Sequence, residues 1–118
     1  MKILFADDDP KIHTIVDLWL NRQGHHIEHS TNGADAFGQL QKISYDLLIT
    51  DVNMPEINGI ELVRKSQELE TAPKFVILMT SRCDIDELQD QIGRNNVFLC
   101  NKPFSPATLA DMIQDLDK

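Results

Sequence analysis

The stretch Lys2-Ile3-Leu4-Phe5-Ala6-Asp7-Asp8-Asp9-Pro10 poses the problem that the rest of the chain must solve. An apolar run of strand length passes directly into three adjacent carboxylates. Like charges this close repel one another and resist dehydration, so the run needs a cation, a helix terminus or bulk water to offset it. Pro10 reads as the first residue of a helix and Asp9 as its N-cap. One acid is thereby explained. Taken by themselves, Asp7 and Asp8 are either solvated neighbours favoured by the same helix dipole or ligands of a cation.

The same change from a short apolar run to a longer helical period recurs five times along the chain. Lys2 to Ala6 is the first strand; Ile12, Ile15, Val16 and Trp19 then make one apolar stripe on a helix that Gly24 ends. His26 to Ser30 is a weaker second strand, and Ala34, Phe37 and Leu40 mark the second helix. Residues 46–51 (DLLITD) form the third strand, followed by a loop over 52–59 with Pro55 and Asn58-Gly59, and by a helix carrying Ile60, Val63 and Leu69. Residues 75–79 (FVILM) suit a strand buried on both faces. A fourth helix follows on Ile85, Leu88 and Ile92, with Asn95 or Asn96 as a left-handed cap. Residues 97–100 are the fifth strand, and Ser105-Pro106 opens a last helix with the stripe Leu109, Met112, Ile113 and Leu116. Alternation of this kind predicts an α/β fold, a doubly wound parallel sheet of five strands built from five βα units.

The 118 residues, 42% of them hydrophobic, fit one compact domain over residues 1–118. Nineteen acidic against eleven basic residues give a net charge of -8, and the basic residues are scattered, so nucleic acid and anionic membrane are poor partners. The apolar runs are too short to span a bilayer, and residues 1–10 do not read as a signal peptide. Cys83 and Cys100 form neither a disulfide framework nor a paired metal motif; they read as reduced thiols of a cytoplasmic protein. His25, His26 and His29 lack the acid or cysteine pattern of a zinc site and read as turn and edge residues. His13 reads as a surface residue, and Trp19 as a core or loop residue.

Right-handed crossovers put every strand's carboxyl end on one edge, where ligands bind in open α/β sheets. That edge gathers Asp7, Asp8 and Asp9 after the first strand, Asp51 after the third, Thr80 after the fourth and Lys102 after the fifth. Two or three carboxylates with a loop carbonyl suit Mg²⁺, a hard cation that takes oxygen ligands. A carboxylate beside such an ion and an ammonium is also a competent nucleophile toward phosphorus.

Asp7-Asp8, Asp51 in ITDVNMPEINGIEL, Thr80 in VILMTS and Lys102-Pro103-Phe104 together resemble the receiver domain of two-component response regulators, the CheY-like family. The resemblance covers residues 2 to about 116. It implies a flavodoxin-like sheet in the strand order 2-1-3-4-5. It further implies that Asp51 accepts a phosphoryl group from the phosphohistidine of a sensor histidine kinase or phosphotransfer protein. Mg²⁺ is then held by Asp8, Asp51 and the backbone carbonyl of Asn53, with Asp7 acting through a metal-bound water. Lys102 pairs with the phosphoryl group across a cis Lys102-Pro103 bond. Thr80 moves to bond a phosphoryl oxygen, for which the small Ser81 leaves room. The resemblance thus implies a phosphoacceptor rather than a conventional enzyme. The resemblance further implies a readout on the surface of the fourth helix, fifth strand and last helix, the face through which receivers of this kind often dimerise.

Three departures from the family pattern stand out. Leu99 occupies the position three before the lysine where the family usually has an aromatic residue, and the adjacent Phe98 points to the opposite face. Arg94-Asn95-Asn96 replaces a common Gly-Ala turn. Arg82, at the rim of the site, is expected with Asn53 to set the lifetime of the phosphorylated state. Two other classes remain beside this reading. A phosphatase of the haloacid dehalogenase type wants a second acid two residues after the nucleophile, where this chain has Asn53, and a cap for which there is little room. A flavin module wants a Ser/Thr/Gly-rich phosphate loop after the first strand.

Overall fold

The computed structural model describes residues 1–54, 56–80, 96–101 and 105–117. Five strands run parallel in one sheet: β1 (Lys2–Ala6), β2 (His26–Ser30), β3 (Leu47–Asp51), β4 (Phe75–Thr80) and β5 (Val97–Asn101), in the order β2-β1-β3-β4-β5. The described helices are α1 (Pro10–Arg22), α2 (Gly33–Lys42), α3 (Gly59–Gln67) and α4 (Pro106–Leu116). The expected helix on Ile85, Leu88 and Ile92 lies outside the described residues, as do Asn95 and Cys83. Asn96 is described but does not take the left-handed cap conformation: among the described residues Glu56 alone, glycines apart, has a positive φ.

The central strands β1, β3 and β4 are apolar on both faces because helices cover both. Ile3, Phe5, Leu47, Ile49, Ile77 and Met79 pack with Val16 and Leu20 of α1 and with Leu109, Ala110 and Ile113 of α4. Leu4, Ala6, Leu48, Val76 and Leu78 pack on the other face with Ala36 and Leu40 of α2 and with Leu62 and Val63 of α3. Burial of one such side chain contributes about 1.5–3 kcal/mol, so the sheet can carry charged groups at its edge. The edge strand β2 is the polar one, with exposed His26 and half-buried Glu28, which is why its periodicity is weak in the sequence. The Tyr45 hydroxyl donates to Glu28 and holds that carboxyl below its usual range.

The helix ends follow their capping residues. Asp9 accepts the Lys11 N–H at 3.0 Å with Pro10 at the first helical position, and Gly24, at φ 85°, stops α1. Ser105 caps α4 by accepting the Ala107 N–H. The seams of three helices differ from the expected stripes. On α1 the buried residues are His13, Val16 and Leu20, while Ile15 and Trp19 are 44% and 42% exposed. Trp19 is therefore not a core residue, and His13 is not a surface residue. A histidine breaks an apolar stripe in the sequence, but here its ring nitrogens are both hydrogen-bonded, so it can occupy the seam. On α2 Ala36, not Ala34, faces the core, and α3 ends at Gln67, before Leu69. Leu69 nonetheless packs against the same cluster from the following turn.

Among the described residues no helix is long and apolar enough to cross a membrane.

His25, just before β2, is buried and accepts the Met1 amino group at 3.0 Å through Nδ1. Burial, and then the positive amino group, push its pKa below the ordinary 6.5, while Asp117 acts the other way. A base whose folded pKa is depressed favours the folded state most where it is neutral in both states. Its contribution is full above pH 6.5 and is lost as the pH falls through 6.5 toward the folded value. In urea unfolding followed at successive pH values, His25→Gln should flatten the loss of stability between about pH 7 and pH 5.5 relative to the unmodified chain.

Candidate functional site: an acidic pocket at the carboxyl edge

Parallel pairing brings the carboxyl ends of β1, β3 and β4 side by side. Ala6 is in register with Thr50, and Asp51 with Met79, so the chain leaves all three strands at one place. There the carboxylates of Asp7, Asp8 and Asp51 converge, with one oxygen from each lying within 4.8 Å of the others. Among the described residues this is the single cluster of three or more metal-ligating side chains. Asp7 and Asp51 are buried, at 0% and 6% exposure, whereas Asp8 opens to solvent.

Backbone amides fix the two buried acids. The Asp9 N–H donates to Asp7 Oδ1 at 2.9 Å, and the Asn53 N–H donates to Asp51 Oδ1 at 3.3 Å. Both are short backward contacts of the Asx-turn kind, in which an acid at the end of a strand caps the amide two residues on. The Asp7 N–H in turn donates to the Ser30 carbonyl at the end of β2, at 3.1 Å. The loop after β3 is pinned by apolar packing of Val52, Met54 and Ile57, by Val52 N–H to the Met79 carbonyl (3.0 Å) and by Gly59 N–H to the Val52 carbonyl (2.8 Å).

Gly59 shows how tightly this loop closes: a Cβ there would sit 2.1 Å from the Asp51 carbonyl oxygen and 2.9 Å from the Val52 Cα. In the sequence Gly59 reads only as part of an Asn-Gly turn; its close approach to the backbone of Asp51 is a tertiary fact.

Thr80, 1% exposed, ends β4 one residue beyond the partner of Asp51, and Asn101 of β5 lies beside it. The expected residues Asp7, Asp8, Asp51 and Thr80 are thus gathered at one end of the sheet, with Asn53 two residues past Asp51. Asp9 caps α1 instead of joining the trio. Lys102, Pro103 and Phe104 lie outside the described residues, as do Ser81, Arg82 and Arg94.

The response regulator receiver domain matches the chain over residues 3–114. The chain belongs to this family. The receiver is 32% identical to the response regulator receiver protein CpdR of Brucella abortus, over 99% of this chain and 94% of that one. It is 43% identical to part of the sensor protein EvgS of Escherichia coli, over 92% of this chain but 9% of that much longer protein. The solved structure of the chemotaxis response regulator CheY4 of Vibrio cholerae aligns with a TM-score of 0.86 at 27% identity, covering 98% of this receiver and 97% of CheY4. The CheY-like, flavodoxin-like fold of two-component signalling follows, with the 2-1-3-4-5 order seen in the sheet.

Two outcomes follow from the pocket's geometry. Gly59→Ala should lower the receiver's stability by about 2 kcal/mol in urea unfolding, since the added methyl must displace backbone rather than a side-chain tip. Neutralising one of three clustered acids should relieve repulsion: Asp51→Asn should raise metal-free stability by about 1 kcal/mol in thermal unfolding. In the unmodified chain, Mg²⁺ at ten times its Kd should add about 1.4 kcal/mol, and this gain should shrink in Asp51→Asn.

Proposed function

We propose that this receiver is a phosphorylation switch in which Asp51 accepts a phosphoryl group from a histidine kinase or a phosphotransfer protein. The observation that carries the reading is the convergence of Asp7, Asp8 and Asp51 at the end of the sheet, next to buried Thr80. The donor set is all oxygen and anionic, and one member is solvent-exposed, which fits an ion that keeps some of its waters. Asp8, Asp51 and the Asn53 carbonyl would hold Mg²⁺ directly, and Asp7 through water. When bound, the ion neutralises charge on the phosphoryl oxygens.

The protein's own part is orientation. The Asn53 N–H on Oδ1 sets the rotation of the Asp51 carboxylate, and the loop behind it is fixed through Gly59. In the transfer, a bond forms between an Asp51 carboxylate oxygen and phosphorus as the phosphorus–nitrogen bond of the donor phosphohistidine breaks; the imidazole leaves with the electron pair. Lys102 pairs with the new phosphoryl group, and Thr80 donates its hydroxyl to one of the oxygens. A phosphoryl group adds about two negative charges and three acceptor oxygens, enough to favour one arrangement of a hydroxyl and an ammonium over another. The receiver promotes its own phosphorylation and dephosphorylation and is not a conventional enzyme.

The surface of β5, α4 and the helix expected around Ile85 would carry the signal to an effector or a second copy. The domain spans residues 1–118 and works in the cytoplasm. Arg82 and Asn53 would govern how fast water reaches the acyl phosphate.

Incubation with Mg²⁺ and acetyl phosphate, followed by intact mass measurement, tests the reading. One added phosphoryl group that requires Mg²⁺ and is absent in Asp51→Asn is expected. Unmodified mass, or multiple turnover of phosphate esters in place of a single stable addition, would refute it.

A further inference from the structure

His13 lies in the seam between α1 and the sheet, at 9% exposure, with its ring edge-on to Phe5 at 5.0 Å between centroids. Its Nε2 is 2.7 Å from the backbone carbonyl of Asp7. Its Nδ1 is 2.7 Å from Nδ1 of His29 on β2, and His29 Nε2 is 3.2 Å from Asp17 Oδ1, back on α1. A carbonyl and a carboxylate only accept, so His13 Nε2 donates to the Asp7 carbonyl and His29 Nε2 to the Asp17 carboxylate. These contacts run in an unbroken line from the Asp17 carboxylate through both rings to the Asp7 carbonyl.

That carbonyl belongs to the peptide joining Asp7 to Asp8. Its plane is rigid, so fixing the oxygen fixes the last backbone torsion of Asp7 and the first of Asp8 together. The other side of Asp7 is already tied by its N–H to the Ser30 carbonyl. With both neighbouring peptides held, the two carboxylates leave the backbone in set directions.

We propose that His13, backed by His29 and Asp17, is a positioning residue that aims the Asp7 and Asp8 carboxylates into the Mg²⁺ pocket. The proposal rests on the reading of that pocket as the cation site of a phosphoacceptor. His13 touches neither the ion nor the phosphoryl group. It acts through the Asp7–Asp8 peptide, as hydrogen-bonded outer groups orient the ligands of other metal sites. Its role differs from that of the helix cap Asp9, which would be met in any helix starting here.

Calorimetric titration of the full chain with MgCl₂, well below the unfolding transition, reads the effect. His13→Leu should weaken Mg²⁺ binding about tenfold, the low end for a lost outer partner of a metal ligand. His13→Gln, whose side-chain N–H reaches a similar distance, should restore affinity to within about twofold. A residue needed only for packing would instead change the unfolding temperature and leave the Mg²⁺ Kd alone. An unchanged Kd in His13→Leu, or equal losses in Leu and Gln, would overturn the proposal. Unmodified protein that binds no Mg²⁺ would overturn the phosphoacceptor reading as well, so the two failures are distinct. Should His13→Leu not fold, nitrogen-15 spectra of the imidazoles in the unmodified chain decide: His13 Nε2 protonated with and without Mg²⁺ supports the strut, and an unprotonated Nε2 overturns it.

Discussion

Everything at the carboxyl edge depends on holding three like charges within 4.8 Å of one another. At such separations each pair costs roughly 1 to 4 kcal/mol, depending on how much water screens it. The fold meets this cost with two layers of apolar side chains on either face of β1, β3 and β4, most of them with no exposed surface. Parallel pairing is what turns stability into function. Successive strands point the same way, so acids that follow unrelated apolar runs arrive at one place without any local sequence relation between them. A cation is the natural complement of the resulting charge. Backbone amides also steady the acids, as Asp9 N–H does for Asp7 and Asn53 N–H for Asp51.

The strands were legible because burial on both faces leaves an unbroken apolar run: β3 and β4 carry no polar residue before Thr50 and Thr80. The helix starts were legible from Asp9-Pro10 and Ser105-Pro106, where capping is local chemistry. The α1 seam was not. Periodicity sees side-chain polarity and cannot see that the Asp7 carbonyl and His29 satisfy both nitrogens of His13, so it favours a stripe through Ile15 and Trp19 instead. Leu62 does not stand out in the periodicity for a related reason, since α3 is short and its buried face includes Gly59 and Ser66. Of the candidate site, Asp7, Asp8, Asp51 and Thr80 could be placed from strand ends alone. The closure of Gly59 onto the Asp51 backbone could not, because it depends on how α3 meets β3 in space.

The exposed trio of Ile15, Leu18 and Trp19 on α1 is the counterpart of that buried histidine. A helix whose seam is turned to place His13 over β1 must turn some of its apolar residues outward. The sequence thus gives up apolar burial on α1 to bring a hydrogen-bond donor against the carbonyl that links the two acids, an exchange that core packing alone would not favour.

Leu99 bears on how a change at this edge can travel. Leu78 pairs with Leu99 and Thr80 with Asn101, so strand alternation sets Leu99 on the same face of the sheet as Thr80, against the cluster shared with α2 and α3. Phe98, on the opposite face, is 37% exposed and lies 6.4 Å from Phe75. An aromatic residue at position 99 could swing a large flat ring and, in tyrosine, a hydroxyl between two environments. Leucine has neither, and its half-buried methyl groups respond to a neighbour's movement only by repacking. A displacement of Thr80 would therefore reach Leu99 as a change in packing, and close-packed side chains pass on small displacements without needing a hydrogen bond at each step.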